Sequence, residues 1–369
     1  MNGQWGIPLH SRVDARSEHG AGDLSERVCE RCRELGFALA GVAKAETISH
    51  SRALLEWLDA GQHGDMTWME EHIAQRIDPR KMLPGARAVI VVADRYSGGE
   101  PDEALGERAY GRIARYARGG DYHRTMKKRL QRLADELRAE HSQERFRVCV
   151  DTAPLLEREH AQRAGIGYIG KNTMLIEPGV GSYLLLGEIL TTLPLEPSGR
   201  PLGDHCGTCT ACIDACPTGA ITPWSVDARK CVSYLTIEHR GSIDEQWWRG
   251  MGDWIFGCDI CQEVCPHNGD KPATRLAPTH AEYAERQSGF DLLELLGWTE
   301  EARRLAFARS ALKRAKLTMM KRNALIAAGN RLAGQRDEAL KQRVQQVATD
   351  AAEAQLVRET AQRVLERLL

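Results

Sequence analysis

Cysteines at short, regular spacings are the feature of this sequence with the clearest chemistry. The first group, Cys206-x-x-Cys209-x-x-Cys212-x-x-x-Cys216-Pro217, places three thiolates at every third position and a fourth immediately before a proline. Three such thiolates bind three corners of one 4Fe–4S cluster, while the fourth reaches a second cluster. The spacing therefore predicts iron–sulfur chemistry, in which the protein passes single electrons.

A second group, Cys258-x-x-Cys261-x-x-x-Cys265-Pro266, repeats the end of the first pattern without its first cysteine, and Cys231 is the natural replacement. Crossed ligation then predicts two ligand sets. The first set is Cys206, Cys209, Cys212 and Cys265, and the second is Cys216, Cys231, Cys258 and Cys261. Zinc is the alternative, because C-x-x-C pairs also build structural zinc sites. Two such pairs suffice for zinc, so three evenly spaced cysteines and two Cys-Pro steps favour clusters.

Three further cysteines lie among apolar residues. Cys29 and Cys32 follow a helical apolar pattern, and Cys149 falls in the apolar run Val148–Val150. A free cysteine packs as a small hydrophobic residue. We therefore expect Cys29 and Cys32 to pack on a helix or lie on its surface, and Cys149 to lie in a buried strand.

The length of 369 residues suits two or three domains with a sizeable core. No apolar run approaches the ~20 residues that span a bilayer. The first residues show neither an apolar stretch nor a cleavage pattern, so we expect no membrane segment and no signal peptide. Abundant thiols without a secretion signal indicate a reducing cytoplasm. Residues 1–20 are expected to form a flexible extension.

Charge is nearly balanced overall, with a formal net charge of -1, but it is unevenly distributed. Residues 303–369 contain fifteen Lys and Arg against six Asp and Glu, and a second basic stretch covers residues 108–132. A basic run is often only a solvated surface. It is also what a polyanion such as nucleic acid requires, because clustered cations displace phosphate counterions. Charge alone leaves both interpretations open.

The chain divides into three regions by pattern. Residues 21–200 alternate helices and strands, including the apolar β-branched run Ala88–Ala93, which predicts a buried strand. The cysteine region, residues 201–270, follows a Pro/Gly-rich linker. Residues 271–369 are helical in pattern, and the segments that begin at Arg322 and Arg358 are loosely similar. The fold class expected is an α/β or α+β domain, a two-cluster module and an all-α region.

Asp151 is the candidate acid of the first region. It ends an apolar strand and precedes Pro154 and a helical pattern. One interpretation is an N-cap, which satisfies free amides at the start of a helix. The other is a proton donor at the carboxyl end of a strand, where active sites of sheet proteins gather. The residues alone leave both open.

Two cofactor signatures are incomplete. Gly165-Ile-Gly167-Tyr-Ile-Gly170 has dinucleotide-like glycine spacing but follows a helical pattern, where such a match is weak. Asp121-Tyr-His123 resembles the start of the D-x-H-x-x-G signature by which some enzymes ligate cobalamin through histidine, but Met126 occupies the glycine position. By itself the sequence gives an electron path and an unidentified acceptor.

Residues 150–159, 164–172 and 181–183, taken together with both cysteine groups, resemble the epoxyqueuosine reductases. These are cobalamin-dependent iron–sulfur enzymes that complete the queuosine modification of tRNA, and the resemblance covers about Leu24 to Asn268. It implies an N-terminal domain that holds base-off cobalamin, a ferredoxin-like module with two 4Fe–4S clusters and an all-α, HEAT-like tRNA-binding region. The implied partners are tRNA with a G-U-N anticodon carrying epoxyqueuosine and an unidentified low-potential electron donor. The implied state is a cytoplasmic monomer.

The resemblance also implies roles for individual residues. Asp151 matches the proton donor, and Arg76, Lys171 and Asn172 match positions that line the cobalamin site. Ser233 falls where the cluster loop of the family approaches the corrin. At His239 the sequence departs from relatives, which commonly carry a tRNA-contacting Lys or Arg there.

The reaction implied removes the epoxide oxygen with two electrons and two protons. Asp151 would act as the general acid, with a pKa raised by burial beside the corrin. Two alternatives are a related cobalamin and iron–sulfur reductase of a small molecule, such as an organohalide, and a ferredoxin-like electron carrier without chemistry of its own.

Overall fold

The computed structural model describes residues 16–99, 108–268 and 279–369. The helices are α1 (Arg16–Glu34), α2 (Ser51–Asp59), α3 (Trp68–Glu71), α4 (Ile73–Ile77), α5 (Tyr122–Glu140), α6 (Glu157–Arg163), α7 (Ala211–Asp214), α8 (Val232–Ile237), α9 (Trp248–Met251), α10 (Ile260–Glu263), α11 (Leu292–Leu296), α12 (Glu300–Ala306), α13 (Leu317–Gly334), α14 (Glu338–Thr349) and α15 (Gln355–Glu366). The strands are β1 (Leu39–Lys44), β2 (Ala88–Arg95), β3 (Tyr110–Ile113), β4 (Phe146–Cys149), β5 (Tyr168–Ile169), β6 (Leu175–Ile176), β7 (Leu184–Thr191), β8 (Ile221–Thr222), β9 (Ser225–Val226), β10 (Trp254–Phe256) and β11 (Gly289–Asp291).

A four-stranded sheet in the order β1-β2-β7-β4 organises the first half of the chain. Each neighbouring pair is antiparallel, so the sheet belongs to the α+β class and not to the parallel α/β folds. Strand β2 is buried along its whole length, as its apolar sequence predicted. Strands β2 and β4 run in the same direction because both pair antiparallel with β7. The loop after β4, which carries Asp151, therefore lies at the same end of the sheet as Arg95.

Both faces of this sheet are covered, because side chains alternate along each strand. On one face, Ile90 and Val92 pack with Met126 of α5 and with Cys32 of α1. On the other, Val89 and Val91 pack in a cluster that includes residues of α6. Cys29, Cys32 and Cys149 are all buried, and Cys149 ends strand β4, which confirms core packing for these cysteines.

A second core joins three distant parts of the chain. Strand β3 pairs parallel with β10 and antiparallel with β11, so residues 110–113 lie in a sheet with residues of the cysteine region and of the C-terminal region. Apolar side chains of residues 109–117, of the cysteine region and of α11 and α13–α15 form one continuous cluster. This core crosses the predicted limits at residues 200 and 270. Burying these surfaces together fixes the three regions against one another.

The predictions for the two ends of the chain can be compared with the structure only where it describes those residues. Helix α1 begins at Arg16, so residues 16–20 of the expected flexible extension are helical, and residues 1–15 lie outside the described residues. The helical pattern predicted for the C-terminal region is confirmed by α11–α15 in its described part, residues 279–369. None of the helices in the described part is long and apolar enough to cross a membrane.

Arg322 fastens helix α13 to the segment that follows α8. The side chain is fully buried and donates hydrogen bonds to the carbonyl oxygens of His239 (2.9 Å), Gly241 (2.6 Å) and Leu235 (2.7 Å). Its Nε donates to the side chain of Asn323 at 3.0 Å. Burial lowers the pKa of Arg322 to about 10, and the charge of Arg240 adds to this effect. The guanidinium thus satisfies carbonyls that would otherwise be buried without a partner.

Replacement of this arginine tests the attachment. Arg322→Met leaves these three carbonyl groups without their donor, so we expect a loss of stability on the order of 2–4 kcal/mol. The midpoint of thermal unfolding measures the effect. Arg336→Met is the matched control, because Arg336 is exposed in the loop between α13 and α14. Equal midpoints for the two variants would contradict the role assigned to Arg322.

Candidate iron–sulfur and catalytic site

Four cysteines of the first predicted set line one cavity. Cys206, Cys209, Cys212 and Cys265 line one pocket together with Lys171 and Asn172. The N–H of Cys209 donates to the carbonyl of Cys206 at 2.9 Å, which closes a tight turn between these two ligands. Cys212 lies in α7, and Cys265 follows α10 directly before Pro266. The structure therefore brings Cys265 to the first group, across the sequence, as crossed ligation requires.

Members of the second predicted set act on one another electrostatically. Burial raises the pKa of Cys258, and the charge of Cys231 raises it further. Burial likewise raises the pKa of Cys261, with contributions from Cys231 and Cys216 and also from Cys212 of the first set. The assignment of Cys216, Cys231, Cys258 and Cys261 to one cluster stays a prediction. In the described residues no group of three or more His, Cys, Asp or Glu side chains is arranged to hold a single metal ion.

Lys171 and Asn172 lie against both cysteine sets. The Lys171 ammonium donates to the carbonyls of Gly207 (2.6 Å) and Cys209 (3.0 Å), and its N–H points to Cys206 Sγ at 3.4 Å. Asn172 Nδ2 donates to the carbonyl of Cys261 at 3.2 Å. Both residues lie in the turn between β5 and β6 and are buried. In the structure, both residues donate hydrogen bonds to the cysteine loops. Contact of either residue with the corrin stays a prediction.

Ser233 lies in the first turn of α8, two residues after Cys231. Burial raises the pKa of the Cys231 thiol, and the N–H groups of Tyr234 and Ser233 oppose this rise. Ser233 is half-buried. The residue therefore accompanies a cluster ligand, as the cluster loop was expected to do, and its approach to a corrin stays a prediction.

Arg76 is buried near an exposed tryptophan and forms no ion pair with the residues that the structure describes. Its Nε donates to the carbonyl of Met69 at 3.2 Å, and the guanidinium carbon lies 5.2 Å from the centre of the Trp68 ring. Burial lowers the pKa of Arg76. Arg314, from the C-terminal region, lies 6.0 Å from the same ring. Trp68 is thus close to both Arg76 and Arg314.

Asp151 occupies a strained turn at the end of β4. Its φ of 56° is in the left-handed region, which costs energy for a residue with a Cβ. Its N–H donates to Glu157 Oε1 at 2.9 Å. Leu156, and not Asp151, is the N-cap of α6, so the capping interpretation of Asp151 is wrong. The carboxylate instead accepts from His123 Nε2 at 3.0 Å and remains 44% exposed.

The expected direction of the Asp151 pKa is also wrong. Burial does raise it, but the hydrogen bond from His123 and the positive charges of His123 and Arg314 outweigh burial, so the pKa of Asp151 lies below its ordinary value. Glu157 behaves in the opposite way. Burial and the charge of Glu188 raise the pKa of Glu157 well above its ordinary value. Two adjacent carboxyl groups therefore favour opposite protonation states.

Arg158 links this acidic group to the cysteine loops. Desolvation lowers its pKa, and the negative charges of Cys261 and Asp151 are among those that oppose this effect. Its guanidinium donates to the carbonyl of Thr173 at 2.8 Å, beside Asn172. The charges of Cys261 and Asp151 thus both act on Arg158, which lies in the chain between Glu157 and the buried Glu159.

Sequence reasoning missed several of these residues. Glu157 and Arg158 lie in residues 150–159, which carried the resemblance, so the sequence could have predicted that they lie near Asp151. Arg314 gave no such signal, because only folding brings it to Asp151. His123 was noted in an incomplete cobalamin signature, and its contact with Asp151 was not predicted.

Comparisons with known proteins agree with this geometry. A family model described as "Epoxyqueuosine reductase QueG, DUF1730" matches residues 76–152, and one described as "4Fe-4S double cluster binding domain" matches residues 205–268. An epoxyqueuosine reductase of Leadbetterella byssophila is 40% identical over 305 residues, covering 82% of this chain and 97% of the relative. This chain belongs to the epoxyqueuosine reductase family. Its residues 205–268 form a double 4Fe–4S cluster binding domain, as the cysteine spacing predicted.

Solved structures extend the likeness to nearly the whole chain. A crystal structure of epoxyqueuosine reductase with an epoxyqueuosine-modified tRNA stem loop has a TM-score of 0.83 and 28% identity, covering 94% of this chain and 90% of that one. A structure of the enzyme from Streptococcus thermophilus has a TM-score of 0.82 over the same shares. One from Bacillus subtilis, also at 0.82, has its catalytic aspartate loop swung out of the active site.

Iron content tests the crossed ligand sets. If Cys206 and Cys265 serve the same cluster, Cys206→Ala with Cys265→Ala retains about half of the iron, because the other cluster keeps all its ligands. Cys206→Ala with Cys216→Ala removes one ligand from each cluster and should lose nearly all of it. Anaerobic purification followed by iron and sulfide assay gives the numbers.

Cys149→Ala is the control for this comparison, since Cys149 is a buried cysteine outside both sets. The reverse ranking of the two double variants, with Cys206 and Cys216 acting together, would show that ligation follows the chain and is not crossed.

Proposed function

We propose that this chain reduces epoxyqueuosine to queuosine at the wobble position of tRNA, the last step of queuosine formation. The observation that carries the proposal is the exposed Asp151 carboxylate, held on a strained turn 3.0 Å from His123, in a chain of the epoxyqueuosine reductase family with a double 4Fe–4S cluster domain. In this proposal the electron source and the candidate acid face one space between Asp151 and the second cysteine set. Electron delivery and oxygen protonation are the two requirements of an epoxide deoxygenation.

Cobalamin is the proposed acceptor of the electrons in that space. When bound, it supplies a strongly reducing cobalt centre able to break a carbon–oxygen bond. The residues that would hold it are the positions that the family motif implies, Arg76, Asp151, Lys171, Asn172 and Ser233, with Arg158 next to one of them. The charged and polar atoms of Asp151 and Arg158 are exposed there and not sealed in the core.

The carboxylate of Asp151 has a defined task in this scheme. Oxygen leaves carbon poorly as an alkoxide and well once protonated, so an acid must meet the developing charge. Asp151 stands on a turn whose strain is compatible with movement, and a relative has been seen with its catalytic aspartate loop displaced. A loop that closes on bound substrate would place the acid and exclude water together.

The C-terminal region supplies cations beside this acid. Lys313, Arg314 and Lys316 are exposed, and Arg314 makes a two-pronged ion pair with Glu238 at 2.7 and 2.9 Å. The charge of Arg314 also reaches Asp151. A wobble base must be unstacked from its loop to enter such a site, and phosphates on either side of it need cations. We propose that residues 313–316 hold those phosphates.

The remaining features belong to the same proposal. Residues 21–200 would hold the corrin and the acid, residues 201–270 the clusters, and residues 271–369 the tRNA. The substrate would be tRNA with a G-U-N anticodon, and the electrons would come from a low-potential donor. The enzyme would work as a cytoplasmic monomer.

Substitution of Asp151 tests the assignment of the acid. We expect Asp151→Asn to keep both clusters but to lose turnover by about 10²–10⁴-fold, the usual contribution of a general acid. Nucleoside mass spectrometry of modified tRNA measures the product, and visible absorption checks the clusters. Asp59→Asn, at an exposed site in α2, should behave as the unchanged protein. Full activity of Asp151→Asn would remove the role.

Salt dependence tests the tRNA surface. Lys313→Gln and Lys316→Gln should each weaken tRNA binding and reduce the slope of log affinity against log salt by about 1, because each removes one phosphate contact. Lys44→Gln is the control, since Lys44 pairs with Ala88 at the opposite end of the sheet from Asp151. A slope unchanged in both variants would place the tRNA elsewhere.

A further inference from the structure

One histidine lies between two carboxylates beside the space described above. His123 Nε2 is 3.0 Å from Asp151 Oδ2, and His123 Nδ1 is 2.8 Å from Asp121 Oδ1. An imidazole can release a proton from one nitrogen and regain one afterwards, and it titrates near neutral pH. The arrangement joins the candidate acid to a group able to hold its proton.

The start of helix α5 fixes this geometry. Asp121 is the N-cap of α5, and its carboxylate also accepts from the N–H of His123 at 3.2 Å. The Tyr122 ring stacks on the imidazole, with centres 4.0 Å apart and planes at 24°. Three consecutive residues therefore set the position and orientation of the imidazole. The incomplete D-x-H signature in the sequence gains a physical role here that needs no metal.

A general acid that is ready to donate carries its proton, but the pKa shifts of His123 and Asp151 favour the proton on His123. Burial alone would lower the pKa of His123, but the hydrogen bonds to Asp151 and Asp121, together with their charges, raise it above its ordinary value. The pKa of Asp151 is lowered. In the free protein the proton shared by the two groups therefore resides on the imidazole, and Asp151 is ionised at neutral pH.

We propose that His123 supplies Asp151 with the proton that the reaction consumes there. In this step the Nε2–H bond of the imidazolium breaks as an O–H bond forms on Asp151, and the proton of Asp151 passes to the oxygen leaving the epoxide. No electrons move in the transfer, and the neutral imidazole regains its proton from water. His123 acts through Asp151 and is a positioning residue. The inference rests on the proposed function, but the contact itself exists without substrate.

Other titratable groups face the pair from neighbouring segments. Lys313 Nζ lies 3.9 Å from Asp121 Oδ2 and places a positive charge close to that carboxylate. The charge of Arg314 favours ionised Asp151. Burial raises the pKa of the Glu157 carboxyl group next to it, which favours the neutral form.

Two phenols complete the surroundings. Burial raises the pKa of Tyr122 and of Tyr116, and the negative charge of Asp151 adds to both shifts. Both phenols therefore stay neutral across the neutral range. None of these neighbouring groups is a histidine, and His123 itself is the group whose ring nitrogen lies 3.0 Å from the Asp151 carboxylate.

The pH profile of turnover tests the proposal. In the unchanged enzyme, turnover should be level at low pH and should fall as pH rises through the raised pKa of His123, because the proton is then lost. His123→Gln should lose about 10²-fold at neutral pH, and its falling limb should lie at lower pH, because Asp151 then works alone. A uniform loss with an unchanged profile would show a structural role only and would overturn the proposal.

Two variants serve as partners to this experiment. Asp121→Asn keeps a good N-cap but removes a charge that holds the proton on the imidazole, so its falling limb should move to lower pH with little change in the maximum. His141→Gln, at the other end of α5, should leave the profile unchanged. A profile of Asp121→Asn identical to that of the unchanged enzyme would count against the relay.

A titration of the free holoenzyme separates this inference from the proposed function. With 15N-labelled histidine, the signal absent in His123→Gln should titrate above the ordinary value of about 6.5 and should move to lower pH in Asp151→Asn. If the tRNA is not reduced but this coupling is present, the pair stands and the substrate is wrong. A signal that titrates at or below the ordinary value, or that ignores Asp151→Asn, overturns the relay.

Discussion

The apolar core shared by residues 109–117, the cysteine region and the C-terminal helices holds the functional groups of this protein in place. Strand β3 passes from the first half of the chain into a sheet with β10 and β11, so the short segment before α5 is fixed to the module that carries the cysteines. Helix α5 begins at Tyr122, a few residues after β3. The position of His123 relative to the cluster ligands therefore depends on how this core packs. Burial of apolar surface is the force that holds it.

A second consequence of the shared core is that the C-terminal region reaches the candidate active site. Arg314 pairs with Glu238 at the end of α8, and Cys231 stands at the start of α8. Arg322 donates to carbonyl oxygens within α8 and just beyond it. A short helix thus has a predicted cluster ligand at one end and the proposed tRNA region at the other. Binding of a polyanion to residues 313–316 would act on the same short segment of chain.

Electrostatics around Asp151 combine two opposite requirements. The site must be reducing on the side of the cysteines and proton-donating on the side of the sheet. The hydrogen bond from His123 and the positive charges of His123 and Arg314 lower the pKa of Asp151, whereas burial and the charge of Glu188 raise the pKa of the neighbouring Glu157. A carboxylate that is ionised at rest needs a partner that holds its proton until the oxygen develops charge. The imidazole at 3.0 Å is placed to be that partner.

Much of the site was within reach of the sequence because the signals are local. The cysteine spacings identified the double cluster domain, since a cluster dictates the positions of its ligands along the chain. The apolar run at residues 88–93 predicted a buried strand correctly. The same patterns could not decide between parallel and antiparallel strands, because a strand buried on both faces is apolar throughout in either case.

What the tertiary structure alone decided is which distant side chains meet. Lys171 and Asn172 lie against the cysteine loops because the β5–β6 turn projects there. His123 and Asp151 touch because the start of α5 faces the end of β4, and no local pattern contains that distance. The sign of the Asp151 pKa followed from those neighbours, since burial and nearby charges push it in opposite directions and only their positions determine which is larger.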